Sequence, residues 1–326
     1  KPMKIMMLSY MDYLGAGSAS KKIFSMLRKE DVDVDLFVKK KNSGLSKKIE
    51  LSKVDSIKSL MFDLFNYGSN KFLNNNYSRK FNPYHKSLGW FSSPYPKIIN
   101  SSNYDIVQLN WINNFLSIRD IVEIKKPIIW RFSDMWPILG AKHYMTNNDQ
   151  KLSEQSVFDR FIEKINLKKK KINWKNKINI VTPSKWLSEK VKNNDLMSEW
   201  PINVIYTPID TNTFKPLDRN KIRYQYKMNG KRVLLFGADN LFDKRKGLRI
   251  LLDTFRNNLI NDNNEYYLFT FGRGKIRESK INNLNIINFG YLNNKMKLNE
   301  LFNLADVLLL PSEIDNLPQI GLEAQT

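Results

Sequence analysis

The sequence predicts an α/β protein built as two successive domains, each a mainly parallel sheet covered by helices. Three observations carry this expectation. Short apolar runs of strand length alternate with amphipathic stretches from one end of the chain to the other. The length, 326 residues, is long for one domain and comfortable for two. A polar, proline-closed segment, Asp210-Thr211-Asn212-Thr213-Phe214-Lys215-Pro216, interrupts the alternation, and a fresh strand opens after it at Arg232. The expected division is a first domain over residues 1–208, a linker over 209–218 and a second domain over 219–326.

Taken in order, the strands of the first half are expected at Lys4 to Tyr10, Val34 to Lys39, Asp105 to Trp111, Pro127 to Phe132 and Ile178 to Thr182. Helices are expected to begin near Ser18, Ser56, Leu152 and Ser184. Ser184 is a natural cap, with Leu187 and Val191 spaced for one buried face. Phe72 to Ser93 carries Asn, Tyr, Pro and Gly without clear period and reads as a long loop. In the second half, strands are expected at Arg232 to Gly237, Tyr266 to Phe271, Leu284 to Ile287 and Asp306 to Leu310, and helices at Lys246 to Phe255 and Lys295 to Leu304. The run Ala305-Asp306-Val307-Leu308-Leu309-Leu310, apolar but for Asp306, suits a central parallel strand buried on both faces. Such a domain normally needs about five or six strands. The second domain therefore reads as incomplete, cut at Thr326 or leaning on something else to close its sheet.

Lys and Arg number 53 against 32 Asp and Glu, a formal charge of +21. That balance argues for an anionic partner, whether ligand phosphates, nucleic acid or an acidic membrane surface, unless it is drift in a Lys- and Asn-rich composition. Cysteine is absent, which excludes disulfides and thiolate chemistry and fits a reducing compartment. The opening apolar run is too short for a signal peptide core, and no run of about eighteen apolar residues occurs. A cytoplasmic protein, at most peripheral on the inner face of a membrane, is expected. Lys168-Lys169-Lys170-Lys171 and Lys47-Lys48 could rest on anionic lipid; such runs are more often solvated faces.

Several motifs in fixed order resemble the retaining GT-B glycosyltransferases of family 4. Val204-Ile205-Tyr206-Thr207-Pro208-Ile209-Asp210-Thr211-Asn212-Thr213-Phe214-Lys215-Pro216 is similar to that family's linker, and Asp243-Lys244-Arg245-Lys246-Gly247-Leu248 to its R-K-G segment. Asn288-Phe289-Gly290-Tyr291-Leu292 and Ala305-Asp306-Val307 to Ser312 keep the family's order, and Asp315-x7-Glu323 stands where the family has E-x7-E. In the first half, Tyr104 to Ile112 and Ile128 to Pro137, followed by His143-Tyr144, resemble members acting on polysaccharide or lipopolysaccharide precursors. Gln108, Asn110 and Ser133 replace histidines of those blocks.

The resemblance implies a GT-B chain of two facing Rossmann-like domains, the second incomplete, that moves a sugar from a nucleotide-sugar donor to a glycan or lipid-linked acceptor without a metal. On the donor side it implies Gly237, Asn240, Lys246, Asn316, Leu317 and Glu323, with Gly15 and Gly17 closing over the diphosphate from the first domain. Lys246 would bind the pyrophosphate, where cations must meet the charge that builds on the leaving group. Asn240 stands at a usually basic position, so Lys244, Arg245 or Arg273 would compensate. Asp315 would contact the sugar's hydroxyls and Glu323 those of the ribose, since each carboxylate oxygen accepts a charge-assisted hydrogen bond.

Each residue also has a plainer reading. Lys246 is otherwise a solvated residue at a helix start, although a cation there opposes the macrodipole, which favours an anionic ligand. Glu323 is otherwise a surface residue, Asp315 a loop cap and Gly15-Ala16-Gly17-Ser18 an ordinary connector. Asp134, after an apolar strand and between Trp130, Ser133 and Trp136, is the acceptor-side candidate: a carboxylate can orient an attacking hydroxyl and indole faces can pack on sugar rings. Against this, the tryptophans are core and Asp134 a helix cap. His143 is more often structural than a base, and two histidines without cysteine make no metal site. Two other classes stay open: a degenerate nucleotide-sugar-binding protein without turnover and, on charge alone, a nucleic-acid binder.

Overall fold

The computed structural model describes residues 2–75, 86–145, 157–257 and 264–326. The chain divides into two compact units, Lys1–Pro208 and Ile209–Thr326.

The first unit is built on six strands, β1 (Lys4–Met11), β2 (Asp33–Lys40), β3 (Ile106–Leu109), β4 (Ile128–Arg131), β5 (Asn179–Thr182) and β6 (Ile202–Val204), in the order β2-β1-β3-β4-β5-β6. Every pairing is parallel. Such a sheet is covered on both faces, and Met7, Leu8, Val107, Leu109 and Ile180 are fully buried accordingly. The strand order reverses between β1 and β3, and in open α/β sheets ligands bind outside the carboxyl ends of strands at such a point. The helices are α1 (Leu14–Lys29), α2 (Lys53–Asn75), α3 (Tyr95–Ser101), α4 (Ile118–Glu123), α5 (Val157–Asn173) and α6 (Lys185–Lys192).

Five strands of this sheet coincide with the sequence expectation to within about two residues, a usual scatter for element ends. β6, α3 and α4 were not foreseen. They are short, and seven or fewer residues hold little periodicity. Helix α6 starts as expected: Ser184 accepts from Leu187 N at 3.2 Å, and Leu187 and Val191 are buried. The start expected near Leu152 lies outside the described residues. Of the loop expected from Phe72 to Ser93, residues 72–75 belong instead to the last turn of α2.

The second unit carries β7 (Arg232–Asn240), β8 (Tyr266–Arg273), β9 (Lys280–Ile281), β10 (Leu284–Asn288) and β11 (Val307–Leu308) in the order β11-β7-β8-β10-β9. All pair in parallel except the short β9, which is antiparallel to β10. Helices α7 (Arg219–Gln225), α8 (Leu248–Arg256), α9 (Lys295–Leu304) and α10 (Gln319–Glu323) accompany it. α9 falls on the expected residues.

β11 corrects one expectation. It lies at the edge of the sheet, bonded only to β7, and Val307 and Leu310 are 47% and 39% exposed, so it is not a central strand buried on both faces. Asp306, the polar residue in its apolar run, explains how it is fastened. One oxygen accepts from Val233 N at 2.7 Å, and the other meets the guanidinium groups of Arg223 and Arg219.

Among the described residues no helix is long and apolar enough to cross a membrane.

Candidate functional site

Two loops at the carboxyl edge of the second sheet bring together Lys246 and Asp315, two of the residues expected on the donor side. After β7 the chain turns at Asp243, whose carboxylate caps the single 3-10 turn Lys244–Lys246 by accepting from Arg245 N at 3.1 Å. Gly247 then takes φ +76°, and α8 begins. After β11 the chain runs through Pro311 to Pro318 into α10.

The two loops are fastened at three places. Glu313 N donates to the Arg245 carbonyl at 2.9 Å. Gly247 lies so close to Pro311 that a Cβ there would strike the Pro311 carbonyl. Lys246 Nζ forms an ion pair with Asp315 Oδ2, the two side chains being 25% and 15% exposed. Asn316 and Glu323 are buried nearby in sequence, while Leu317 is half-buried.

The other cations of this edge are paired as well. Arg245 holds Asp243 at 2.8 Å, and Arg273 holds Asp239. Asn240 sits opposite Arg273 in the strand register and accepts from Phe242 N at 3.0 Å, so its side chain shapes its own turn. Lys244 is exposed. The edge thus holds cations preset by carboxylates, and an incoming diphosphate would share or displace those acids.

Gly237 corrects an expectation. It is buried in β7, and a Cβ there would enter the Phe271 ring. Its missing side chain admits that ring, so glycine here serves packing.

In the first unit, Gly15 and Gly17 stand in the first turn of α1 and not in a loop, because the chain turns early, with Leu14 at φ +60°. Gly15 has open space at its Cβ position, whereas a Cβ on Gly17 would lie 2.6 Å from the Met11 carbonyl oxygen. Gly17 therefore lets α1 approach β1, whereas Gly15 is exposed with open space around it.

Trp130 and Trp136 are each 1% exposed. Trp130 meets Phe132 and Trp174 edge-on at 5.0 and 5.2 Å, and Trp136 donates Nε1–H to the Ser87 carbonyl at 2.9 Å. Neither face is open to a sugar, so the stacking role is overturned and the core alternative holds. Ser133 beside them is half-buried.

Asp134 is buried within a polar cluster. Oδ2 accepts from Trp111 Nε1 at 3.1 Å and lies 2.6 Å from His143 Nδ1, while Oδ1 accepts from Trp136 N at 3.0 Å. The far imidazole nitrogen, Nε2, is 3.1 Å from Ser87 Oγ and 3.2 Å from Asn113 Nδ2. Burial would raise the Asp134 carboxyl. The neighbouring imidazole and these hydrogen bonds outweigh burial and hold it below the ordinary carboxylate range.

Both carboxylate oxygens are thus engaged, and Asp134 caps a turn, where the plainer reading had it cap a helix. The aromatic that remains half-buried is Trp111, edge-on to Tyr10 at 5.6 Å at the β1–β3 reversal. Sequence reasoning passed over it. The signal was available, since Trp111 follows a parallel strand directly.

No protein-family model and no curated protein matches the sequence. By structure the chain is similar to sucrose-phosphate synthase from Thermosynechococcus elongatus, at TM-score 0.61 and 12% identity over 99% of this chain and 78% of that one. It is similar to HepE of Anabaena in complex with UDP and glucose, at TM-score 0.56 and 14% identity over 99% and 78%. It is also similar to WaaG, a glycosyltransferase involved in lipopolysaccharide biosynthesis, at TM-score 0.55 and 12% identity over 98% and 78%. The chain has the GT-B fold. Within this GT-B chain, the Lys246–Asp315 pair joins two motifs that sequence order alone had linked.

Proposed function

We propose that this chain is a retaining glycosyltransferase that takes a sugar from a nucleoside diphosphate donor and passes it to a glycan or lipid-linked acceptor of cell-surface polysaccharide. Donor binding would fall to the second unit, with Lys246 on the diphosphate, Asp315 and the Asn316-Leu317 amides on the sugar, and Glu323 on the ribose. The observation that carries this is the meeting of Lys246 and Asp315 at the carboxyl edge of a parallel sheet. A cation and an acceptor of hydroxyl hydrogen bonds stand side by side there, as diphosphate and sugar do in such a donor. HepE, of the same fold, was solved with UDP-glucose.

Charge on the leaving diphosphate would be met by Lys246, Lys244 and Arg273, so the reaction is proposed to need no metal. A cytoplasmic site of action is part of the reading. The acceptor side would lie in the first unit, near Trp111, with Asp134 positioning that ring through its indole N–H.

A melting screen of the whole chain against UDP, GDP, ADP and their sugars tests the reading. A stabilising nucleotide, with donor consumed when a glycan acceptor is added, is expected; a ligand at about a hundred times its Kd adds about 2.7 kcal/mol. No shift with any of them overturns it. A second reading, binding without turnover, is favoured by Asn240, an uncharged side chain committed to its own turn. Stabilisation without donor consumption across acceptors would decide for it.

A further inference from the structure

Helix α2 is turned inside out. Its buried side carries Ser59 and Asn66 beside Phe62 and Leu73. Ser59 Oγ lies 3.1 Å from Tyr95 OH, and Asn66 Nδ2 donates to the Phe62 carbonyl at 2.8 Å. Its outer side carries Val54, Ile57, Leu60, Met61, Leu64 and Phe72, every one more than half exposed. At 3.6 residues per turn these fall within an arc of about 120°, and at 1.5 Å per residue they extend for about 27 Å. Isolated exposed apolar residues need no explanation, but six on one face, unbroken from Val54 to Leu64 and resuming at Phe72 beyond Gly68 and Lys71, mark an interaction surface.

The stripe adjoins a basic helix. Phe72 meets Phe158 of α5 edge-on at 5.9 Å, and Leu73 packs in one cluster with Ile162. The outer side of α5 presents Lys164, Lys168 and Lys171 around a shallow depression that also includes Leu167 and Ile172. α2 adds Lys58 and Lys71, both exposed.

We propose that the outer face of α2 docks on an anionic lipid bilayer, its apolar stripe lying among the acyl chains at the interface and the lysines of α2 and α5 meeting headgroup phosphates. Charge selects this occupant. A second copy would bring the same lysines against these, in a chain of net charge +21, whereas an anionic leaflet complements them. Shape agrees, since a long exposed helix face sinks into a deformable surface, as interfacial amphipathic helices do. The surface differs from the Lys168–Lys171 run as read from sequence, because Lys170 is fully buried and takes no part. The inference stands apart from the donor reading.

Co-sedimentation of the full chain tests it, with vesicles of phosphatidylcholine containing about one-third phosphatidylglycerol against pure phosphatidylcholine. Binding to the anionic vesicles is expected, with part of it surviving about 0.5 M salt because the stripe is uncharged. Ile57→Ser with Leu64→Ser should reduce partitioning at least about tenfold, and Lys168→Glu with Lys171→Glu should reduce it and remove the preference for anionic lipid. Both pairs should leave the melting temperature and any nucleotide-induced shift unchanged, since all four side chains are exposed. Vesicle binding indifferent to the apolar pair overturns the proposal. So does self-association without vesicles that the same pair abolishes, which assigns the face to a second copy.

Discussion

Lys246 and Asp315, 69 residues apart in sequence, form an ion pair that holds the turn after β7 against the loop after β11. The pair serves two ends at once. It fixes a lysine that would otherwise oppose the dipole of the following helix, and it places a carboxylate where it competes with any anion for that lysine.

The two partners should therefore act in opposite directions on nucleotide binding. Lys246→Ala removes a charge-assisted contact and should weaken UDP binding about 10- to 100-fold. Asp315→Asn removes the competing acid and should strengthen UDP binding a few-fold while lowering donor consumption. Calorimetric titration of the two single variants and the double variant checks this. Equal losses on both sides would mean that the pair only braces the loops. Stability should fall by about 1 kcal/mol for Lys246→Ala, since Asp315 is mostly covered and loses its cation.

Gly247 supports a second expectation. Its φ of +76° disfavours any side chain, and a Cβ would enter the Pro311 carbonyl. Gly247→Ala should cost about 1–3 kcal/mol through backbone strain and separate the two loops, so melting temperature and nucleotide shift should fall together. Gly230→Ala is the control: its φ is +68° but its Cβ position is open, so it should lower stability and spare the nucleotide shift. An unaltered shift in Gly247→Ala would show that the loops can separate without consequence.

The sheet frame was legible because parallel strands read as apolar runs, and the meeting of Lys246 with Asp315 because motif order survives where single residues do not. What was missed follows from distance and burial. Trp130 and Trp136 look alike in sequence whether they meet a sugar or Trp174, and only packing decides. Lys170 was placed in a solvated run, yet its Nζ donates to the carbonyls of Trp136, Leu139 and Gly140, the last two at 2.7 and 2.8 Å, beneath the Trp136 ring. A signal existed: Ile162, Asn166 and Lys170 share the buried face of α5 at helical spacing. Asp12 is a further case. It is buried and accepts from Asn42 N, from Ser43 N and Oγ, and from Ser46 Oγ at 2.6 to 2.9 Å, tying the loop after β2 through contacts no local pattern announces.

Asp134 makes the stability of the first unit depend on acid. Burial raises its carboxyl, but the His143 imidazole and the donated hydrogen bonds prevail, and the folded value lies below the unfolded one near about 3.9. Between those two values the unfolded chain binds the extra proton, so stability rises with pH across that window. The contribution is complete above about pH 4 and is lost as pH falls through the folded value. Asp134→Asn should therefore be costly at neutral pH, by about 1–3 kcal/mol, because the hydrogen bonds with Trp111, Trp136 and His143 lose a charged acceptor. The penalty should shrink as pH falls below about 4 and through the folded value, where the native carboxyl gains its own proton. Denaturant titrations of the two proteins over that range check it. A penalty constant with pH would mean that the amide variant loses only packing and hydrogen-bond geometry, and that the charge on the Asp134 carboxylate contributes no stability.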